Sequence, residues 1–448
     1  RRQRQMCIRD SPYFVDLEAL EKEGLLTAAD LKAESWGKDP LEVDYGTLYV
    51  SRFAVLRKAY AAWRSQCAGL HGCSYYYPDD YYAFTLANED WLEDYALYMA
   101  LKVANKMKNW VEWDAPYRRR DKAVLAAFAA ANEEEIGFWK FVQYKFSVQW
   151  QAVKAYANEK GVQILGDIPI YVSPDSSDLW TQPELFQTDG QMHLTHVAGC
   201  PPDSFAADGQ LWGNPLYDWP THKATGFGWW KRRMKHATSI YDVVRIDHFR
   251  GFEAFWEVPF SSPDSSYGSW TQGPGLKLFN VLEEKLGTLP IIAEDLGFLT
   301  PGVIDMRDTT GFPGMKILQF AFEGTNSYYL PHNYIANTVA YVGTHDNETA
   351  RGWYEGTATP RQREQAALYT HRQAGESMAD ALNRTIAASV SDTCIYTMQD
   401  LLNLGNEARI NTPATLGGNW TWRLLPGELS DALSVRIDRM TALYGRKA

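Results

Sequence analysis

Positive charge, cysteine and long apolar runs are all scarce in this 448-residue sequence, and each scarcity excludes something. Its 44 lysines and arginines face 55 aspartates and glutamates, for a formal net charge of −11. That balance speaks against nucleic acid and anionic membrane surfaces, and makes a neutral ligand the easier partner. No apolar stretch approaches the roughly 20 residues of a membrane span, and no secretory leader is visible, so the expected location is cytoplasmic. The five cysteines, Cys7, Cys67, Cys73, Cys200 and Cys394, are odd in number and scattered. Cys67, His71 and Cys73 crowd together, but no second cluster answers them, so free thiols are expected rather than zinc, and no cofactor is called for. Low-complexity tracts and internal repeats are missing too.

What the sequence has is aromatic side chains, 17 Trp and 26 Tyr among them, and a recurring pattern of short apolar runs that end in charge. The sharpest is Tyr241 to Phe252, Y-D-V-V-R-I-D-H-F-R-G-F. Val243, Val244 and Ile246 are β-branched filler for a buried strand, while Arg245 and Asp247, two apart, point to one side. A fixed cation beside Asp247 holds that carboxylate ionised, as a nucleophile or charge stabiliser needs. The pattern returns in P-I-I-A-E-D-L-G (Pro290 to Gly297), V-A-Y-V-G-T-H-D-N (Val339 to Asn347) and Q-I-L-G-D-I-P-I-Y-V (Gln163 to Val172). Met315 to Phe322 and Thr393 to Asp400 bring the set to six. Helix-length chain between them predicts a parallel α/β barrel, whose strand C-termini carry the chemistry. A purely structural Arg–Asp pair explains the first run as well, but not four strands offering carboxylates at matching ends.

The remaining chain divides by pattern. Residues 1–10 have neither period nor turn logic and suggest a non-native leader. Residues 11–135 are mostly helical, with helices expected over Val15 to Leu26 and from Leu56 to about Ala131. Residues 136–448 hold the barrel portion, fed by a helix over Glu133 to Glu159. A Pro-, Gly- and Trp-rich excursion at about 173–234 is expected to be a long loop subdomain, a lid or binding wall in which Gln210, Trp212 and Asn214 offer amide, stacking face and amide. One long helix is expected over Pro360 to Ala388, a polar loop over Gln399 to Trp422, and a closing helix over Leu424 to Tyr444.

R-I-D-H-F-R-G-F, I-A-E-D-L-G, G-T-H-D-N, G-D-I-P-I-Y-V and G-Q-L-W-G-N-P-L-Y together resemble the 4-α-glucanotransferases, the amylomaltases or disproportionating enzymes, from about Ser11 to Arg446. The resemblance implies a TIM-type (β/α)8 barrel with helical and loop insertions, and transfer of an α-1,4-glucan segment to the 4-hydroxyl of an acceptor glucan or glucose. By the same resemblance Asp247 is the nucleophile, Glu294 the general acid/base and Asp346 the transition-state stabiliser. Arg245, His345 and Asp167 then line the subsite at the cleaved bond, Gln210, Trp212 and Asn411 contact glucan, and Tyr13 stacks on a sugar. Physical reasoning agrees on the pair. Retention at an acetal needs one ionised and one protonated carboxyl about 5 Å apart. Ile291, Ile292 and the acidic neighbour Asp295 all favour the protonated form of Glu294.

Departures from the family set further expectations. Members carry two more strand segments before Ser-Pro-Tyr, so six of eight barrel strands are expected here, leaving the barrel incomplete with an exposed edge. Glu348 and Ala350 replace an acidic residue and a hydroxyl. Rival readings are an α-glucan hydrolase with the same carboxylates, a metal-dependent hydrolase using Asp247, His248, His345 and Asp346, and an inactive glucan-binding fragment.

Overall fold

The structure, a computed structural model, describes residues 11–68, 77–202, 208–297, 299–324, 327–413, 415 and 417–446. The expected leader 1–10 and the cluster members His71 and Cys73 lie outside them. Cys67, Cys200 and Cys394 are free thiols. Within the described residues the chain forms two compact units, one of residues 11–36 and 46–290, the other of 37–45 and 291–446.

In the first unit, the helix over Glu133–Glu159 forms with the expected bounds. Three glutamates in its first turn face the positive end of its dipole. Its buried face, Phe138, Trp139, Phe141, Val142, Tyr144 and Phe146, packs with Val55, Leu56, Tyr60 and Trp63 from the helix Tyr45–Ala68. Much of the aromatic surplus is spent here: the Trp63 ring lies 5.0 Å from both Phe141 and Tyr81. The expected continuous helical signal to Ala131 is broken into Tyr45–Ala68, Asp79–Ala87, Glu89–Ala104, Ala115–Arg118 and Lys122–Ala131. Likewise only Leu17–Lys22 is α-helical in the expected span from Val15, because Asp16 caps it by accepting from the Glu18 and Ala19 N–H groups.

This helical layer delivers the chain to β1 (Leu165–Ile168). The second strand, β2 (His196–Cys200), and the third, β3 (Gln210–Pro215), follow within the expected loop, before β4 (Val243–Ile246). β1 and β4 pair in parallel with Asp167 opposite Arg245. Gly166 is required on β1, since a Cβ there would stand 2.2 Å from the Tyr241 ring. The loop subdomain expected at about 173–234 holds regular structure of its own. β2 and β3 join β5 (Ala254–Pro259) and β6 (Ser269–Gln272) in an antiparallel sheet ordered β3-β2-β5-β6.

In the second unit, β7 (Ile291–Ala293) is tied to the approach of β8 (Gly314–Ile317) by Ala293 N–H donating to Pro313 C=O at 3.0 Å. β8 runs parallel to β9 (Thr338–Tyr341), which runs parallel to β10 (Thr393–Ile395). All six apolar runs therefore contain a strand. The single helix expected over Pro360 to Ala388 is two, Pro360–Tyr369 and Met378–Ala387. His371 and Gly375 between them take φ of 48° and 80°, incompatible with a right-handed helix. The closing helix starts only at Asp431, after Pro426 and Gly427 break the pattern, and ends at Leu443. Among the described residues no helix is long and apolar enough to cross a membrane.

Candidate active site

At the end of β4 the chain turns out of the sheet, and the local backbone explains why Asp247 can be presented there. The Asp247 N–H still donates to Ile168 C=O at 2.9 Å, extending the ladder by one residue. His248 then adopts φ 53°, a left-handed conformation uncommon outside glycine, and the chain enters a short 3-10 turn, Phe249–Phe252. The His248 ring meets the Trp212 ring edge to face at 4.8 Å. Burial holds its imidazole down to about 4, against the pull of Asp247 and with help from Arg250, so it is neutral at pH 7.

Arg245 is buried and bridges two carboxylates. One guanidinium nitrogen lies 2.5 Å from Asp167 Oδ2 and the other 3.1 Å from Asp247 Oδ1. Both carboxylates stay open to solvent, with side chains 37% and 42% exposed, while the cation between them is 7% exposed. The period-two placement of Arg245 and Asp247 is thus seen as a contact. The additional hold on Asp167 arises because β1 and β4 are in register at that step.

In the other unit, Glu294 follows β7 directly and is buried. Its Oε1 accepts the Leu296 N–H at 2.8 Å, closing a tight local turn. Asp295 was expected as a negative neighbour of Glu294, with no partner assigned to it. Its carboxylate is instead buried against Arg307 at 2.8 Å and accepts the Met315 N–H at 2.8 Å. Gly314 makes room, since a Cβ there would stand 2.4 Å from Asp295 Oδ2. The charge of Asp295 is therefore answered by Arg307.

Asp346 follows β9 in a turn set by Thr344 N–H donating to Asn347 Oδ1 at 2.8 Å. Asn411 donates its side-chain N–H to Asp346 Oδ1 at 2.5 Å, and His345 Nε2 lies 3.4 Å from Oδ2. Asn411 also gives its backbone N–H to His345 C=O at 3.1 Å, and Arg409 donates to Asp346 C=O at 2.8 Å. The polar loop is thus organised around Asp346. Trp420, at φ 62°, sets its ring 5.0 Å from His345.

The remaining candidates separate into two kinds. Gln210 accepts from Trp212 Nε1 at 3.2 Å on the edge strand β3, which leaves Trp212 partly exposed beside His248. Asn214 donates to Val172 C=O at 2.8 Å and so fastens β3 to the chain after β1. Tyr13 sits on a 3-10 turn, Pro12–Phe14, edge to face with Phe53 at 6.1 Å. Arg52, overlooked in the sequence, grips that turn through the carbonyls of Pro12 and Val15. Arg409 and Trp420 were also missed as supports, because nothing in their sequence spacing ties them to Asp346.

The glycoside hydrolase 77 family, described as 4-alpha-glucanotransferase, matches residues 7–429. A 4-alpha-glucanotransferase of Clostridium butyricum is 44% identical over 97% of this chain and 88% of its own length. One from Thermus thermophilus is 43% identical over 96% of this chain and 85% of its own. Among solved structures, an amylomaltase from Streptococcus agalactiae in complex with acarbose matches with a TM-score of 0.93 at 40% identity, covering 98% of this chain and 87% of that one. With strand-end carboxylates backed by Arg245 and Asn411 and likeness of this extent, the chain belongs to the 4-alpha-glucanotransferase family and has that family's activity.

Proposed function

We propose that the transfer runs by retention through two displacements, with Asp247 as nucleophile, Glu294 as acid/base and Asp346 as stabiliser of the cationic transition state. The carrying observation is the Arg245 bridge, which leaves Asp247 half-open at a strand end with a fixed cation at its other oxygen. In the first displacement Asp247 attacks the anomeric carbon, the glycosidic C–O bond breaks, and Glu294 gives its proton to the departing 4-oxygen. In the second, Glu294 takes the proton of the acceptor 4-hydroxyl, whose oxygen attacks the anomeric carbon and displaces the Asp247 carboxylate. The pair Asn411 and His345 steadies Asp346 as positive charge grows on the sugar.

Arg245, His345 and Asp167 line the subsite at the cleaved bond in this reading. Gln210 and Trp212 on β3, with Asn411, contact the glucan, and Tyr13 stacks on a sugar face. Donor and acceptor are α-1,4-glucans or maltooligosaccharides, and β1, β4 and β7 to β10 are strands of a (β/α)8 barrel. Trp212 and the sheet that carries it exclude water from the intermediate, so a sugar hydroxyl arrives first. Reduced cysteines favour a cytoplasmic setting.

Incubation with maltotriose tests the proposal. Products longer than maltotriose, with their stereochemistry retained as α, are expected. Only glucose and maltose, or inversion at the new bond, would overturn it.

A further inference from the structure

The strand β8 carries a lysine that the reaction does not use. Lys316, in the middle of β8, is 1% exposed, which places its ammonium wholly inside the unit. Its Nζ stands 3.0 Å from the centre of the Tyr328 ring and has no hydrogen-bond acceptor among the described residues. A buried ammonium without acceptors is costly unless an aromatic face or opposite charge answers it. Here both do. The same Tyr328 places its hydroxyl 3.4 Å from Arg307, and Arg307 holds Asp295 and Asp308 at 2.8 and 2.7 Å. Asp295, next to Glu294, in turn takes the N–H of Met315, the residue before Lys316.

The adjacent residue closes the circuit. Tyr329, edge to face with Tyr328 at 5.7 Å, lies within reach of the charges of Asp295 and Glu294. Burial, with the charges of Asp295 and Glu294, pushes its hydroxyl up to about 12, so it stays protonated. The ring seated on Lys316 and a ring beside the charges of Glu294 and Asp295 thus belong to consecutive residues.

We propose that Lys316 is a positioning residue for Glu294: its ammonium seats Tyr328, and through the Arg307–Asp295 pair that the Tyr328 hydroxyl touches it fixes the turn that presents the acid/base carboxyl. The groups facing it are Asp295 after β7, Arg307 and Asp308 from the helix Pro301–Thr310, and Tyr328. Its register partner on β9 is Ala340, and Thr338–Tyr341 brings no charged side chain. Two cations thus balance two carboxylates. Burial brings Lys316 down to about 8, helped by Arg307 and opposed by Asp295 and Asp308. The charged form is present below that value and is lost as pH rises through it, so the seat on Tyr328 weakens on the alkaline side.

The proposal rests on Glu294 being the acid/base, and its test separates the two. Transfer from maltotriose is followed against pH for the full chain and for Lys316→Met and Lys316→Arg, alongside the burst of fluoride released from α-maltosyl fluoride, whose leaving group needs no proton. Lys316→Met is expected to lower kcat on maltotriose about 10- to 100-fold with little change in KM, as a misplaced group does. It should also lose the alkaline break, yet release fluoride within about twofold of the parent. Lys316→Arg should restore kcat and move the break upward. Equal losses on both donors, or an unchanged kcat and break in Lys316→Met, would overturn the proposal. If Lys316→Met does not fold, Tyr328→Phe, which keeps the ring on Lys316 and removes the hydroxyl at Arg307, carries the same comparison, with the maltotriose-specific loss expected and equal losses on both donors contradicting it. Glu294→Gln, run in parallel, should abolish transfer from maltotriose and keep the fluoride burst. Full transfer by that variant sinks the acid/base reading itself.

Discussion

Asp247→Asn is expected to lower kcat for transfer by on the order of 10⁴-fold or more, which corresponds to about 5.4 kcal/mol of lost transition-state stabilisation. The amide is nearly isosteric and can still face Arg245, so the bridge to Asp167 and the β1–β4 register are expected to survive. What it cannot do is attack an anomeric carbon and leave as a carboxylate. KM for maltotriose should therefore change little while kcat collapses, the signature of a group that acts only as the bond breaks. Steady-state transfer assays with both parameters resolved check this. A variant retaining a tenth of the parent rate would mean that Asp247 serves the Arg245 ion pair and nothing more.

The largest stability effect is expected at Asp175→Ala. Asp175 and Lys102 form an ion pair of 2.8 Å with side chains 6% and 5% exposed. Lys102 also donates to the carbonyls of Met107 at 3.0 Å and Lys108 at 2.6 Å. Asp175 accepts the Tyr98 hydroxyl at 2.7 Å, and Trp110 Nε1 donates to the neighbouring Pro174 C=O at 2.9 Å. This cluster anchors the chain that leaves β1 to the helix Glu89–Ala104, which carries Tyr98 and Lys102. Removing one partner strands the other charge in the interior, so a loss of about 3–5 kcal/mol is expected. Glu159→Ala, which removes the exposed partner of Lys160, should cost under about 1 kcal/mol. Urea titrations of the two variants make the comparison. Equal midpoints would show that water reaches the Asp175 pair.

The two effects draw on parts of the molecule that were unequally legible in the sequence. The strand ends could be read because β-branched residues fill a buried strand and a charge at period two must share a face. Arg245 and Asp247 fulfil that as a contact of 3.1 Å. The helix Glu133–Glu159 could be read because 27 residues of one period outweigh local noise. The antiparallel strands β2, β3, β5 and β6 could not, although they are no shorter: Gly199, Gly213, Pro215 and Pro259 fall in three of them, none ends in a carboxylate, and their pairing is nonlocal. The supports of the site were hidden for a related reason. Asn411 lies 65 residues from Asp346, and Lys102 lies 73 from Asp175. Asp295 shows the opposite failure, a correct position with the wrong partner. Its neighbour in sequence is Glu294, but its charge answers Arg307, 12 residues on across one helix.

The central claim is that Asp247 becomes covalently joined to the sugar, and trapping that species tests it most directly. A fluorosugar donor, activated at the anomeric carbon and slowed in the second displacement, would be mixed with the enzyme, followed by digestion and mass spectrometry. The account predicts one added glycosyl unit on the peptide spanning 241–252, localised to Asp247 and discharged when maltose is supplied as acceptor. A label on a different carboxylate, or full turnover with no covalent species at any time, would contradict it.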